Sequence, residues 1–456
     1  MKVLFTRPRP SVETIGLQHV MLVEPLELEV LASLVTPDDT PVIIDMILEK
    51  AAIEHFIQRE KPELFCVSGY ISNVPEMIRY CRVAKQMIPG IVTVVGGVHC
   101  EVCPEDLNDE SIDYRVVRNA TTVFPQLLEH IIGKSDLPRG ILKPGQHLSP
   151  SELPPFDFSF PVPDRTLTTS YRKSYFYIFH NRVALLKTAF GCPFTCNFCF
   201  CREITRGAYY ERDLSEVMGE LASIEERDIY IVDDDFLTSR TRVQQFIKAH
   251  RSANLDKNYL LYGRADFIAN NPDIMRDFHS IGLKTVIVGF ESFLDHELER
   301  YHKNTDAKTN EKAMQVLNSN NIDCYATVIL PPDWGKEEFR YCRDIMRKLG
   351  IHYVNLQPLT PLPGTGMEVN DQSLIIPRSD FSKWDLAHVT LLPEKMSVAD
   401  YYKNMIRLYN SVLFQRRFLV DYIKNYSLLM LWKMIRGSFM VWKQYMAKIR
   451  EAKRHA

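Results

Sequence analysis

Short β-branched runs and amphipathic helical stretches alternate through the first 135 or so residues, in segments spanning 2–6, 26–35, 42–45, 64–68, 74–87 and 91–97. Period-2 runs separated by period-3.6 stretches predict a doubly wound parallel sheet. Such sheets receive ligands at the carboxyl ends of their strands, where Val95-Gly-Gly-Val-His-Cys100 would form a close-approach glycine turn. From 137 to about 165 the composition shifts to Pro, Ser, Asp and Gly with weak periodicity, which reads as a connector. Apolar strand patterns resume at 183–189 and recur at 229–232, 259–263, 285–289, 325–330 and 354–357, with helical stretches between them. Six strand-helix units predict a partial (β/α)6 barrel with ligands carried at its C-terminal face. Beyond 366 the pattern is mainly helical. The expected organisation of this α/β chain is therefore a first domain at 1–136, a connector at 137–180, a partial barrel at 181–368 and a helical region at 369–456.

At 456 residues the chain exceeds what one hydrophobic core usually supports. Lys and Arg number 55 against 57 Asp and Glu, a net charge of −2, which argues against a dominant nucleic-acid surface and leaves only local basic patches. Ten cysteines scattered through a long chain suit a reducing cytoplasm better than a disulfide framework. The apolar start at 2–5 is too short for a signal peptide, and no apolar run reaches the length of a membrane span.

Three of those cysteines, Cys192, Cys196 and Cys199, form a CxxxCxxC run between Phe190 and Phe200. Three thiolates can hold three irons of a cubane [4Fe–4S] cluster and leave the fourth iron open. Zinc sites normally close with a second ligand pair, which this sequence does not offer at a suitable distance. Cys201 follows Cys199 too closely to serve easily as a fourth ligand and reads as a spectator thiol. Cys100 and Cys103 make a lone CxxC without a partner pair.

With this cysteine run after the strand at 183–189, the chain resembles the radical S-adenosylmethionine (SAM) superfamily. The resemblance implies that the open iron chelates SAM and that reductive cleavage yields a 5′-deoxyadenosyl radical. It also implies SAM contacts from residues at the strand ends. Asp233, Asp234 and Asp235 occupy the segment where relatives carry Gly-Gly-Glu, although by position alone an Asp run reads equally well as a helix cap. Gly289-Phe-Glu-Ser292 resembles the Gly-x-Glu-Ser segment beside SAM, bringing in Glu291 and Ser292. Arg264, after the preceding strand, is a weaker candidate, because an Arg264–Asp266 surface pair explains it as well.

The first domain resembles the flavodoxin-like cobalamin-binding domains that precede many radical SAM cores. The resemblance rests chiefly on Val94-Val-Gly-Gly-Val-His99 and on Gly69 after the third strand, and it implies cobalamin contacts from Ser68, Gly69, Gly96, Gly97 and His99. Two segments depart from it. The Asp-x-His-x-x-Gly loop that ligates cobalt from below is replaced by Ile44-Asp-Met-Ile-Leu-Glu49, and the late Gly-Glu by Arg118-Asn-Ala-Thr-Thr122. Val328-Ile-Leu-Pro-Pro-Asp-Trp334, Leu359-Thr-Pro-Leu-Pro-Gly-Thr365 and Trp384-Asp-Leu-Ala-His388 are similar to the cobalamin-dependent group of hopanoid C-3 methylases and anaerobic Mg-protoporphyrin monomethyl ester cyclases.

This resemblance implies a C-methyltransferase that acts on an unactivated carbon of a hydrophobic, lipid-like or tetrapyrrole-like substrate. One SAM would supply the methyl group carried by cobalamin, a second the radical, and a flavodoxin or ferredoxin the electrons. An oxidative cyclase with the same cofactors is the alternative, and a cluster- or cobalamin-binding sensor is the reading from another class. His388 reads as a pocket residue or as a structural histidine. The tail from 422 combines Leu428, Trp432, Phe439 and Trp442 with Lys433, Arg436, Lys443 and Arg450. Such a helix either docks on the barrel with its basic side exposed or gives a cytoplasmic protein peripheral contact with a membrane.

Overall fold

A strand buried along its whole length must have both faces of its sheet covered. Leu64–Ser68 is such a strand, and the first sheet is built around it. In the computed structural model, residues 1–149, 151–413, 415 and 426–454 are described, so the start of the tail at 422 lies outside them. The chain forms two units, one from 1–14, 24–174 and 378–385, the other from 15–23, 175–377 and 386–456.

The strands of the first unit are β1 (Lys2–Arg7), β2 (Thr40–Asp45), β3 (Leu64–Ser68), β4 (Val92–Gly96), β5 (Tyr114–Val116) and β6 (Ile141–Leu142). They lie in the order β2-β1-β3-β4-β5-β6, parallel except for β6. Helices α1 (Leu26–Ala32), α2 (Ile53–Glu60), α3 (Val74–Met87), α4 (Val98–Val102) and α5 (Ala120–Ile131) connect them. Alternate strand residues feed two cores. Leu4, Phe65 and Val95 pack with Phe56 and Tyr80 of α2 and α3, while Val3, Phe5 and Val94 pack with Leu28 and Phe124 of α1 and α5. The strand order reverses between β1 and β3, so the crevice of this sheet opens at their carboxyl ends.

Residues 137–174 pack within this unit, and so does 378–385, which returns to it from far along the chain. There Trp384 is buried, Phe381 lies edge-on to His99 at 6.0 Å, and Thr14 donates to the Ser382 carbonyl at 2.8 Å.

The second unit carries β7 (Ala184–Leu186), β8 (Asp228–Ile231), β9 (Asn258–Gly263), β10 (Leu283–Glu291), β11 (Asp323–Leu330) and β12 (Tyr353–Pro358), all parallel and in sequential order. Helices α6 (Leu214–Ser223), α7 (Arg240–Ser252), α8 (Ala265–Asn270), α9 (Pro272–Ser280), α10 (Asp295–Arg300), α11 (Ala307–Ser319) and α12 (Lys336–Leu349) make the crossovers of a partial barrel. Local chemistry sets their ends. Asp213, Ser239 and Asp306 accept N-terminal backbone N–H groups of α6, α7 and α11, and Gly350 closes α12 in the left-handed region. Leu261, Val286, Val288 and Ala326 face Phe246, Met275, Phe278 and Met346 of the helices. The opposite strand face carries Tyr230, Tyr262 and Tyr325, and Tyr177 sits 4.8 Å from the Tyr230 ring and 6.3 Å from that of Tyr325.

Two later helices, α13 (Val398–Leu413) and α14 (Leu428–Arg454), close the unit. Tyr401 of α13 bonds the Leu330 carbonyl at 2.7 Å, and the Tyr409 hydroxyl accepts from the Leu356 N–H at 2.8 Å. Among the described residues, no helix is long and apolar enough to cross a membrane.

Within the first unit, Glu24 pairs with Arg172 at 2.7 Å and with Arg165 at 3.5 Å, while buried Glu29 accepts from Thr168 and leaves Oε2 without a hydrogen-bond partner. Burial, reinforced by the charge of Glu24, pushes the Glu29 carboxyl up from 4.5 to about 8. The folded chain therefore binds one more proton than the unfolded chain between those values, and stability falls as pH rises through that window. Glu29→Gln should flatten this slope by up to about 1.4 kcal/mol per pH unit. Urea midpoints measured between pH 5 and pH 8, in steps of about one unit, check it; an unchanged slope in the variant assigns the pH dependence to other groups.

Candidate active site

The cysteine run leaves β7 through Lys187 and Thr188, and its start is fastened to the end of the neighbouring strand, β8. Asp233 is buried and accepts three hydrogen bonds, from Thr188 N at 2.6 Å, Thr188 Oγ1 at 2.5 Å and Ala189 N at 2.9 Å. Asp234 accepts from Gly191 N at 3.0 Å. Gly191 has φ +77, and a Cβ there would lie 2.0 Å from the Ala208 carbonyl oxygen, so only glycine fits the turn into Cys192.

Asp235 behaves differently. One carboxylate oxygen accepts from Leu237 N at 3.1 Å, and the other is buried with no partner. Burial raises this carboxyl to about 7, against the opposing pull of Arg264 and Lys303. A buried acceptor without a donor fits a ligand that brings an N–H or O–H.

The far side of the cysteine loop is held by cations. Arg264, just past β9, donates from Nη2 to the Lys303 carbonyl at 2.7 Å and pairs with Asp266. Its guanidinium lies 3.9 Å from the Phe194 ring centroid, and Nη1 reaches Cys196 Sγ at 3.8 Å. Asn197 adds two bonds, from its N–H to the Tyr301 carbonyl at 3.3 Å and from its side chain to the Arg300 carbonyl at 2.9 Å. Burial lifts the Cys196 thiol above its usual range while Lys303 and Arg264 oppose it, and burial lifts Cys192 to about 12. A thiol–thiol hydrogen bond with Cys201 lowers Cys199 and raises Cys201.

Glu291 sits on a register shift of β10 with φ +62, and its Oε1 lies 3.1 Å from the buried Lys303 Nζ. A Cβ on Gly289 would fall 2.4 Å from that oxygen and 2.9 Å from the ammonium, so the glycine makes room for the ion pair. Ser292 is engaged elsewhere: its hydroxyl donates to Glu297, which also takes the Trp334 indole N–H at 2.6 Å. Arg264, Glu291 and Asp235 thus share one neighbourhood with Cys196. Asp233 and Asp234 hold the loop backbone, and Ser292 supports the turn after β10.

Lys303, Asn197 and Phe194 escaped the sequence reading. Phe194 and Asn197 lie inside the CxxxCxxC run and could have been found by treating its intervening residues as contacts. Lys303 follows a short helix at a distance that no local pattern marks.

In the first unit, Ser68 pairs with Gly96 across β3 and β4. Gly97 has φ +98, and a Cβ there would meet the Gly69 carbonyl oxygen at 2.7 Å and Ser68 Oγ at 2.9 Å. Ser68, Gly69, Gly96 and Gly97 therefore form a bare backbone turn at the carboxyl end of the sheet. His99 is buried, with Nε2 on Asp106 at 2.8 Å.

A B12-binding domain model matches residues 15–128, and a radical SAM superfamily model matches 186–344. The chain therefore carries a B12-binding domain followed by a radical SAM domain. Hopanoid C-3 methylase from Methylococcus capsulatus is 25% identical to this radical SAM protein over 89% of the chain and 79% of the relative. The anaerobic magnesium-protoporphyrin IX monomethyl ester cyclase of Rubrivivax gelatinosus is 23% identical over 82% and 69%. Its fold is similar to that of the radical SAM methyltransferase TsrM from Kitasatospora setae, solved with cobalamin and a [4Fe–4S] cluster (TM-score 0.66, 15% identity, 100% of this chain and 99% of that one). It is also similar to the cobalamin-dependent radical enzyme OxsB, solved with aqua-cobalamin and SAM (TM-score 0.62, 15% identity), with 77% of this chain matched to 53% of that one. The two domains make this radical SAM protein an enzyme whose cofactors are cobalamin, SAM and a [4Fe–4S] cluster.

The residues present fit those groups. Among the described residues no three His, Cys, Asp or Glu side chains converge on one ion. A cubane does not require that, since each thiolate binds its own iron. The loop offers three thiols beside two cations and an orphaned buried acceptor, and the first unit offers a turn that a Cβ at Gly97 would fill.

Two substitutions test this site. Lys303→Met leaves Glu291 buried without its partner and should cost about 3–5 kcal/mol in urea unfolding, with partial recovery in the Lys303→Met/Glu291→Gln double variant. Gly97→Ala should cost about 1–3 kcal/mol through backbone strain and weaken hydroxocobalamin uptake in an absorbance titration. Gly133→Ala, also at positive φ but in open space, should leave that uptake unchanged.

Proposed function

We propose that this enzyme is a cobalamin-dependent radical SAM methyltransferase acting on an unactivated carbon of a hydrophobic small molecule. The observation that carries the reading is the CxxxCxxC loop at the mouth of the partial barrel, held by Asp233 and Asp234 on one side and by Arg264 on the other. In this reading Cys192, Cys196 and Cys199 hold three irons. Arg264 and Lys303 favour the thiolate form that iron requires. Asp235 accepts from a SAM donor with its free oxygen, and Glu291, oriented by its ion pair with Lys303, takes a second polar group of the same ligand. The turn of Ser68, Gly69, Gly96 and Gly97 lets cobalamin approach the backbone, and His99 stays with Asp106. When bound, the cofactors supply reductive SAM cleavage and a methyl carrier, and the protein's part is positioning and exclusion of water.

Similarity to hopanoid C-3 methylase over most of the chain supports methyl transfer. Similarity to the Rubrivivax cyclase favours the second reading, an oxidative cyclase built on the same cofactors. The same proposal takes a flavodoxin or ferredoxin as electron donor, places the enzyme in the cytoplasm, and includes peripheral contact with a membrane through the C-terminal helix.

The deciding experiment is anaerobic reconstitution with iron, sulfide and cobalamin, followed by turnover of methyl-labelled SAM with hydrophobic extracts. Label in a new product, together with S-adenosylhomocysteine and 5′-deoxyadenosine, is the expected outcome. 5′-Deoxyadenosine with an unmethylated oxidised product selects the cyclase. Cys192→Ala, Cys196→Ala and Cys199→Ala should each lose most of the bound iron, whereas Cys201→Ala should keep it; iron analysis and visible absorbance check this independently of turnover.

A further inference from the structure

Helix α14 turns two different sides outward and inward. Met430, Gly437, Tyr445 and Ile449 are buried. The approach is close: a Cβ on Gly437 would lie 2.1 Å from the His19 carbonyl oxygen, and Gln444 accepts from Gly16 N at 3.3 Å. Docking therefore uses one side of the helix, and the Tyr402–Tyr445 ring contact at 5.9 Å ties that side to α13.

The other side is apolar and, among the described residues, uncovered. Leu428, Trp432, Ile435 and Phe439 are 81, 57, 67 and 55% exposed, and Trp442 continues the row. Their spacing of four, three, four and three residues keeps the row within about 80° of the helix circumference at 3.6 residues per turn. Phe439 and Trp442 stack at 5.7 Å, so the row is one continuous surface. Arg436 and Lys443 flank it, 5.5 Å from the Trp432 ring and 6.0 Å from the Phe439 ring, and exposed Arg450, Lys453 and Arg454 follow in the last turns. Over Leu428–Arg454 seven Lys and Arg residues stand against Glu451.

From this geometry we infer that α14 is a docking surface for anionic phospholipid, lying in the plane of the bilayer interface. An apolar row of this period could also be covered by a second copy of the same helix. Charge decides between the two, because pairing copies would bring two strongly cationic helices together, whereas an anionic lipid surface neutralises the flanking cations as the aromatic row enters the headgroup boundary. The cations adjoin the apolar row instead of standing opposite it, so insertion and neutralisation occur on the same side. The inference concerns where the enzyme works and stands whether the reaction is methyl transfer or cyclisation.

The test is sedimentation of the full chain, without SAM, with vesicles of phosphatidylcholine alone and of phosphatidylcholine mixed with phosphatidylglycerol. Binding to the mixed vesicles, a blue shift of tryptophan emission, and weakening by salt are expected. Trp432→Glu/Phe439→Glu, at exposed positions that leave the docked side untouched, should lower vesicle affinity by at least about tenfold while circular dichroism stays the same. Equal sedimentation of the wild type and the variant overturns the inference. Absence of vesicle binding overturns it too, and if the wild type is then dimeric and the variant monomeric, the row belongs to a second copy of the chain.

Discussion

The carboxylate of Asp233, with three donors from Thr188 and Ala189, fixes the direction in which the chain leaves β7. A buried carboxylate with a full set of donors has only one good geometry, and losing it would leave an uncompensated charge in the core. The turn at Gly191, the path of the cysteine loop and the approach of that loop to Arg264 all follow from that anchor. The strand end after β8 therefore determines where the thiols can be.

Opposite that anchor the loop meets a chain of interactions running from Asp266 through Arg264 to Cys196 and, by way of the Lys303 carbonyl, to the Lys303–Glu291 pair. Arg264, Lys303 and Glu291 sit in surroundings that exclude most water, so loss of a partner there would be costly and their mutual placement is stiff, whereas Asp266 is partly exposed. The bulge at β10 and the missing side chain at Gly289 are the backbone's contribution, since without them Glu291 could not turn toward Lys303. The site is preorganised by ion pairs and backbone irregularities, with few of its polar groups left unengaged.

Periodicity makes much of this fold legible in the sequence. The helical stretch at 74–87 matches Val74–Met87, and the strand run at 64–68 matches Leu64–Ser68, because both are long or apolar enough for burial to dominate local choice. β10 extends beyond its expected 285–289 to Leu283–Glu291, as a bulge lets the strand continue past its apolar run. The cysteine spacing and the glycine turn at 96–97 were visible because they are contiguous. What each carboxylate of the 233–235 run faces was not: Asp233 bonds residues 45 positions earlier, and only the assembled sheet brings them together. Lys303 is hidden for the same reason, and so is the return of 378–385 to the first unit, where Phe381 packs against a core far away in sequence.

That returning segment also changes how the protein can be made. The chain passes from one unit to the other five times, and the first unit receives its last piece, residues 378–385, only after all six barrel strands and the crossovers between them have been synthesised. Although its sheet is encoded within the first 142 residues, this unit cannot be completed as the ribosome releases them. The surface that Phe381 covers stays open until the chain has grown past residue 381, although the sheet of the first unit is encoded entirely before that of the second.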